Sequence, residues 1–181
     1  MIMKTRLLAV ALAAALAAPS MAQAVEGTGS LTLGAVQTDL ELLGKGTING
    51  MNLKYQFEPA GSRVGFLGSF TYASGEDSIN QPLGPSADID MSYYSLALGP
   101  SVRVNRYISA YGLFGFAGAN AELESGTSTS DHFEPVFGAG VRVFPFANVV
   151  IDAYYEKATA FGSSDKRIEA DTVSLGLGVS F

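Results

Sequence analysis

The chain has 181 residues with 21 glycines, no cysteine and no tryptophan, and its 17 acidic and 11 basic side chains give a formal charge of −6. That balance disfavours nucleic acid and other anionic partners, and the missing cysteines exclude a disulfide framework. Glycine spread through the apolar segments disfavours helix interiors, and beyond residue 24 no stretch approaches the about eighteen apolar residues of a transmembrane helix.

The first element is a secretory signal peptide. Lys4 and Arg6 precede an apolar run over residues 7–18, Pro19 breaks it, and Ala22-Gln23-Ala24 supplies a small-residue cleavage site. The expected division is residues 1–24 as a cleaved leader and 25–181 as one domain. Cleavage removes two basic and no acidic side chains, so the charge falls from −6 to −8. Such a surface argues against a polybasic hold on lipid headgroups.

Eight strands follow, each recognised by side chains that alternate between two faces. Strand one spans residues 29–37, with Leu31, Leu33 and Ala35 on one face. After a polar connection, GMNLKYQFE (50–58) sets Met51, Leu53, Tyr55 and Phe57 against Asn52, Lys54, Gln56 and Glu58. A turn at residues 59–62 leads to VGFLGSFTYA (64–73), which presents Val64, Phe66, Phe70 and Tyr72. A long acidic loop is expected over residues 74–90, carrying Glu76, Asp77, Asp88 and Asp90. Strand four sends Tyr94, Leu96, Leu98, Val102 and Val104 outward and Tyr93, Ser95, Ala97, Ser101 and Arg103 inward. Pro100 cannot donate to the ladder and predicts a bulge or a missing bond. Asn105-Arg106 turns the chain into strand five, residues 107–119, whose register is blurred by glycine on both faces, with Phe114 and Phe116 outward. A polar loop, 120–132, precedes strand six, where Phe137, Ala139, Val141 and Val143 oppose Gly138, Gly140 and Arg142. Residues 145–148 turn into strand seven, with Val149, Ile151, Ala153 and Tyr155 against Val150, Asp152, Tyr154 and Glu156. A loop over 158–169 leads to the last strand, where Val173, Leu175, Leu177, Val179 and Phe181 share a face backed only by Ser and Gly.

The seven connections alternate long and short, as they do in a bacterial outer-membrane barrel with periplasmic turns and extracellular loops. A soluble barrel of the lipocalin kind shares the alternation but puts the apolar face inside. Two features favour the membrane. The polar face consists mostly of Gly, Ser, Ala and Thr, as a crowded lumen requires, and the apolar faces end in aromatics: Phe57, Tyr107, Phe146 and Phe181 toward the turns, Tyr72, Tyr94 and Tyr155 toward the loops. The expected fold class is all-β, an eight-stranded antiparallel up-and-down transmembrane β-barrel with short periplasmic turns and longer extracellular loops. The bilayer of the outer membrane, with lipopolysaccharide outside, is its first partner.

Lys54, Arg103 and Arg142 face the same interior as Glu58, Asp152 and Glu156, three charges of each sign. Buried ions need partners, so this set predicts a polar network that plugs a barrel too narrow for a solute channel. His132, near Ser128, Ser130, Asp131 and Glu134, would be the histidine of a rim hydrolase, but no nucleophile motif accompanies it and a solvated loop histidine is the plainer reading. The carboxylates Glu76, Asp77, Asp88 and Asp90 match no metal loop. No cofactor, metal or catalytic set is expected.

At YYSLALGPSVRVNRYISAYG (93–112) and FGAGVRVFPFANVVIDAYYE (137–156) the chain resembles the Ail/Lom and outer-membrane protein X family. The likeness is specific at the Gly-Pro-x-x-Arg-Val-Asn turn approach, the Gly-Ala-Gly-Val strand and the Asn-Val-Val-Ile-Asp strand, and does not extend to the loops. It implies an eight-stranded outer-membrane barrel whose loops, in some members, mediate attachment to host cells, entry and serum resistance, with host matrix or complement proteins as partners. It also implies that Lys54, Glu58, Arg103, Arg142, Asp152 and Glu156 occupy the family's interior polar positions. The terminal Phe181 resembles the signal read by the barrel assembly machinery, although Ser180 stands where the family usually has Arg. Adhesive members are similar in engaging ligands through basic or aromatic loop residues. The acidic loops here, with Glu76, Asp77, Asp88, Asp90 and His132 as candidate contacts, disfavour heparin-like polyanions. Two other roles fit the same sequence, a structural envelope barrel and a lipid A modifying enzyme.

Overall fold

A computed structural model of the chain describes residues 27–41, 45–79, 87–123, 134–161 and 167–181. They form eight antiparallel strands in sequential order: β1 (Gly27–Glu41), β2 (Lys45–Pro59), β3 (Val64–Ile79), β4 (Ala87–Asn105), β5 (Ile108–Leu123), β6 (Glu134–Phe146), β7 (Val149–Phe161) and β8 (Arg167–Ser180). The sheet closes because β8 pairs with β1 over Ser30↔Ser180 to Leu40↔Ala170, with Gly29 and Phe181 exchanging backbone bonds of 2.8 and 2.9 Å below. Closure leaves no edge with unpaired backbone groups, the condition for crossing a membrane with strands.

The register fixes the tilt. Stepping from partner to partner, Leu31 leads through Tyr55, Gly68, Leu98, Phe114, Phe137, Lys157 and Asp171 back to Asp39, eight residues further along β1. Eight strands with a stagger of eight tilt by roughly 36°. Everything on that circuit faces outward, and the residues between face in.

The alternation read from the sequence holds in every strand. Outward lie Leu33, Met51, Phe66, Leu96, Leu98, Phe114, Phe116, Phe137, Ile151, Leu175 and Leu177, all exposed. In water this apolar wall would aggregate; against acyl chains it is matched. Phe146, Tyr107 and Phe181 stand exposed at the turn end, and Tyr155 at the loop end.

Three short turns mark the end expected to be periplasmic. In the first, Ser62 donates its N–H to the Pro59 carbonyl at 3.0 Å, and Gly61 has φ 74°, a conformation that glycine tolerates without a Cβ clash. In the second, the Tyr107 N–H donates to Asn105 Oδ1 at 2.7 Å. The third is Ala147-Asn148. Tyr107 thus belongs to the turn, not to strand five, because the Asn105 side chain already caps its N–H. The pairing Phe146↔Val149 extends β6 past Pro145, with a register shift after Val143↔Ile151, so the third turn is shorter than predicted.

At the other end the strands run further than the alternation suggests. Glu76, Asp77, Asp88 and Asp90, expected in a loop, lie in β3 and β4, with Glu76 paired to Asp90, Asp77 to Ile89 and Ser78 to Asp88. β1 and β2 likewise continue to Glu41 and from Lys45. Polar residues at a strand end read as loop, but a closed ladder satisfies their backbone regardless of side chain. Pro100 interrupts β4 only mildly: its pairing to β5 lapses between Leu98↔Phe114 and Ser101↔Tyr111 without a change of register. The register shift falls later, between Arg103 and Asn105.

Candidate functional site

Two regions carry polar chemistry, the barrel interior and the loop-side rim. Inside, the strands stack polar side chains in tiers. The middle tier centres on Asp152 of β7. Arg142, its direct cross-strand partner on β6, donates from Nε to Oδ2 at 3.0 Å, and Lys54 Nζ from β2 donates to Oδ1. The Tyr111 hydroxyl donates to Oδ2 at 2.9 Å. Arg142 uses its other nitrogens on Ser30 and Gln56 at 2.9 Å each and on Thr32 at 3.0 Å. Lys54 also donates to Ser174 at 3.1 Å and lies 4.4 Å above the Tyr154 ring. Lys54, Arg142 and Asp152 are all fully buried, and six strands, β1, β2, β5, β6, β7 and β8, contribute hydrogen-bonding groups to this tier.

Toward the turns, Glu58 accepts from Arg103 Nε at 2.9 Å and Nη2 at 2.5 Å, and from Gln56 at 2.5 Å. The Arg103 guanidinium covers the inward-facing Phe144 ring at 4.0 Å. Toward the loops, Glu156 is held differently from the other five charges. Its partners are hydroxyls: Tyr93 and Ser95 donate to Oε1 and Tyr154 to Oε2, each at 2.7 Å. Three donors satisfy a buried carboxylate's lone pairs without an ion pair. Two of these donors, Tyr93 and Tyr154, belong to a buried apolar cluster with Ile48, Ala73, Val136, Ala158 and Ala170.

Tyr93, Tyr111 and Tyr154 are the members that charge counting overlooks. Tyr111 and Tyr154 stack with ring centroids 5.8 Å apart. Their space comes from glycines on β6: a Cβ on Gly138 would stand 2.1 Å from the Tyr154 hydroxyl oxygen, and one on Gly140 2.3 Å from that of Tyr111. An inward tyrosine facing a glycine one strand away is the sequence signal that would have found them.

At the rim, Glu76, Asp90 and Glu122 stand in one row across β3, β4 and β5 by register. On the other side Asp39 is opposite Asp171, and Lys157 is 4.0 Å from Asp171. His132 lies outside the described residues, as do Ser128, Ser130 and Asp131. Among the described residues no group of three or more His, Cys, Asp or Glu is arranged to hold a metal ion.

The family model of the outer membrane protein β-barrel domain matches residues 8–181. The chain is 33% identical over 184 residues to the attachment invasion locus protein of Yersinia enterocolitica, covering 99% of this chain and 100% of that protein. This chain belongs to the Ail and outer-membrane protein X family. Outer membrane protein X of Enterobacter cloacae is 31% identical, with 93% of this chain and 94% of that protein covered. The crystal structure of Ail of Yersinia pestis, in complex with the heparin analogue sucrose octasulfate, matches at TM-score 0.70 and 32% identity over 87% of this chain and 100% of that one. The protein is therefore an integral outer-membrane barrel, and the lipid bilayer is its surroundings.

Within this Ail/X-type barrel the three sequence signatures acquire physical reasons. Gly99 to Asn105 delivers Arg103 to Glu58 and Asn105 to the turn cap. Gly138-Ala139-Gly140 clears room for the two tyrosines and leads to Arg142. Asn148 to Asp152 opens β7 and ends on the carboxylate that Lys54, Tyr111 and Arg142 share.

Proposed function

We propose that this protein is a cell-surface attachment factor whose barrel is a rigid platform and whose loop-side rim engages a host protein. The observation that carries this reading is the likeness to the attachment invasion locus protein of Yersinia enterocolitica across the whole length of both chains. The long β3–β4 hairpin supports it. β4 has 19 residues, whereas about 9–11 suffice to cross a bilayer, so the remainder carries backbone beyond the membrane on the loop side.

The ligand class in this reading is a matrix or complement protein rather than a sulfated polyanion. Ail of Yersinia pestis has been crystallised with a heparin analogue, but the strand ends here carry Asp39, Glu76, Asp77, Asp88, Asp90, Glu122, Glu134, Glu169 and Asp171 against Lys45, Lys157 and Arg167. A field of that sign repels sulfate. The interior network of Lys54, Glu58, Arg103, Arg142, Asp152 and Glu156 is structural in this reading, and the protein is not an enzyme. Residues 1–24 serve as the cleaved export signal and Phe181 as the contact for the assembly machinery.

The test replaces the β3–β4 tip (76–90) and the β5–β6 connection (120–133) by short Gly-Ser turns and measures attachment of bacteria to host cells. Loss of attachment with normal surface display is the expected result. Unchanged attachment would leave a structural envelope barrel as the function, and altered lipid A mass spectra in a deletion strain would restore the enzyme reading.

A further inference from the structure

Residues 25–181 carry 17 acidic and 9 basic side chains, formally −8, and the described ones are unevenly placed along the barrel axis. The acidic residues Glu76, Asp90 and Glu122, in one row by backbone register, belong to the loop side. The three turns at the opposite end, residues 60–63, 106–107 and 147–148, hold two arginines and no acidic residue. Both arginines, Arg63 and Arg106, are exposed.

Arg63 sits beside Arg103, whose backbone N–H donates to the Arg63 carbonyl at 2.7 Å. The Arg103 guanidinium is already committed to Glu58 at 2.5 and 2.9 Å, so that pair is internally neutralised and the Glu58 carboxylate is taken up inside the barrel rather than offered to Arg63. Arg106 lies with its guanidinium 4.5 Å above the Tyr107 ring. Among the described residues, neither Arg63 nor Arg106 has a carboxylate partner. The outward aromatics Phe57 and Phe66 are cross-strand partners just inside the first turn, and Tyr107 is in the second. Aromatic rings of this kind settle at the headgroup level, which puts both guanidinium groups among lipid phosphates.

We propose that Arg63 and Arg106 form a headgroup clasp on the periplasmic rim that favours anionic glycerophospholipid in the facing leaflet. A guanidinium fork matches two phosphate oxygens at once, and the Tyr107 ring limits the orientations Arg106 must give up on binding. The overall negative charge does not oppose the clasp. The acidic rim is about 30 Å away across the hydrocarbon core, several times the screening length of about 8–10 Å in the flanking solution. The low net basicity that argues against a polybasic anchor for the whole molecule thus leaves room for two exposed arginines at one end of the barrel.

The experiment reconstitutes the full-length mature barrel into nanodiscs of mixed phosphatidylglycerol and phosphatidylethanolamine and measures retained lipid by native mass spectrometry. Wild type should retain phosphatidylglycerol preferentially. The Arg63→Gln and Arg106→Gln variants should each lose about fivefold of that preference, and the double variant more, since each basic side chain near an anionic surface contributes about 1 kcal/mol. Lys157→Gln, on the opposite rim, should leave it unchanged. Raised salt should weaken the wild-type preference, a reading that needs no variant. No preference in wild type, or an undiminished preference in a heat-modifiable, correctly folded double variant, would overturn the proposal. So would arginine-dependent binding of acidic peptidoglycan fragments to the detergent-solubilised barrel with no effect on lipid, which would assign the two arginines to a different periplasmic partner.

Discussion

Asp152 and Glu156 are buried carboxylates four residues apart on one strand, yet their removal should have unequal effects. Asp152→Asn leaves Lys54 and Arg142 without a carboxylate in a site where both are fully buried, a loss of about 3–5 kcal/mol. Glu156→Gln keeps an acceptor for the tyrosine and serine hydroxyls and adds an amide that must find a partner, so about 1–3 kcal/mol is expected. Urea unfolding of the refolded barrel, followed by tryptic resistance or circular dichroism, should rank them in that order. The glycine pockets give a second test. Gly138→Ala should destabilise by about 1–3 kcal/mol through overpacking against Tyr154. Combined with Tyr154→Ala it should cost less than the sum of the two single changes, a coupling read from a double-mutant cycle.

Side-chain alternation disclosed where each charged residue of the interior lies, because a strand has only two faces and one of them is visibly apolar. It did not disclose partners. Lys54 on β2 and Asp152 on β7 are 98 residues apart and meet only because the barrel closes. Nor did it separate Glu156 from the ion pairs, since hydroxyl donors such as Tyr93, Ser95 and Tyr154 carry no charge to count.

At the scale of elements, β8 is the strand that completes the sheet. Its residues pair with β1 on one side and β7 on the other, and Phe181 adds two backbone bonds to Gly29 just below the ladder. Deletion of Phe181 is expected to reduce the amount of inserted barrel in cells strongly while changing the unfolding midpoint of the correctly folded fraction little. The heat-dependent shift in gel mobility separates the two quantities. Strand centres were legible from the sequence and strand ends were not, for one reason. In the bilayer the outward residues must be apolar, but once a strand leaves the membrane only backbone pairing sustains it, and Glu76, Asp88 and Asp90 pair as well as Leu or Val would.

For the whole molecule, interior side chains from all eight strands fill the lumen in tiers from Phe144 at one end to Ile48 and Val136 at the other, each buried. The purified protein in a planar bilayer should therefore show no steady single-channel conductance. A stable open level would mean that the Arg142, Lys54 and Asp152 tier parts readily.

The stagger of the barrel also sets a rule of parity. Travelling once round from Leu31 brings the path to Asp39, an even displacement, and so an outward residue meets an outward residue when the circle closes. Deleting one residue inside a strand makes the local count odd and turns part of that strand inside out; deleting two restores the sense. Removal of Leu96 alone should thus impair folding more than removal of Leu96 together with Ala97, although the second change takes away more of the protein. Evolution of such a wall is then free to lengthen or shorten its staves in twos, whereas a change by one demands a bulge to absorb it.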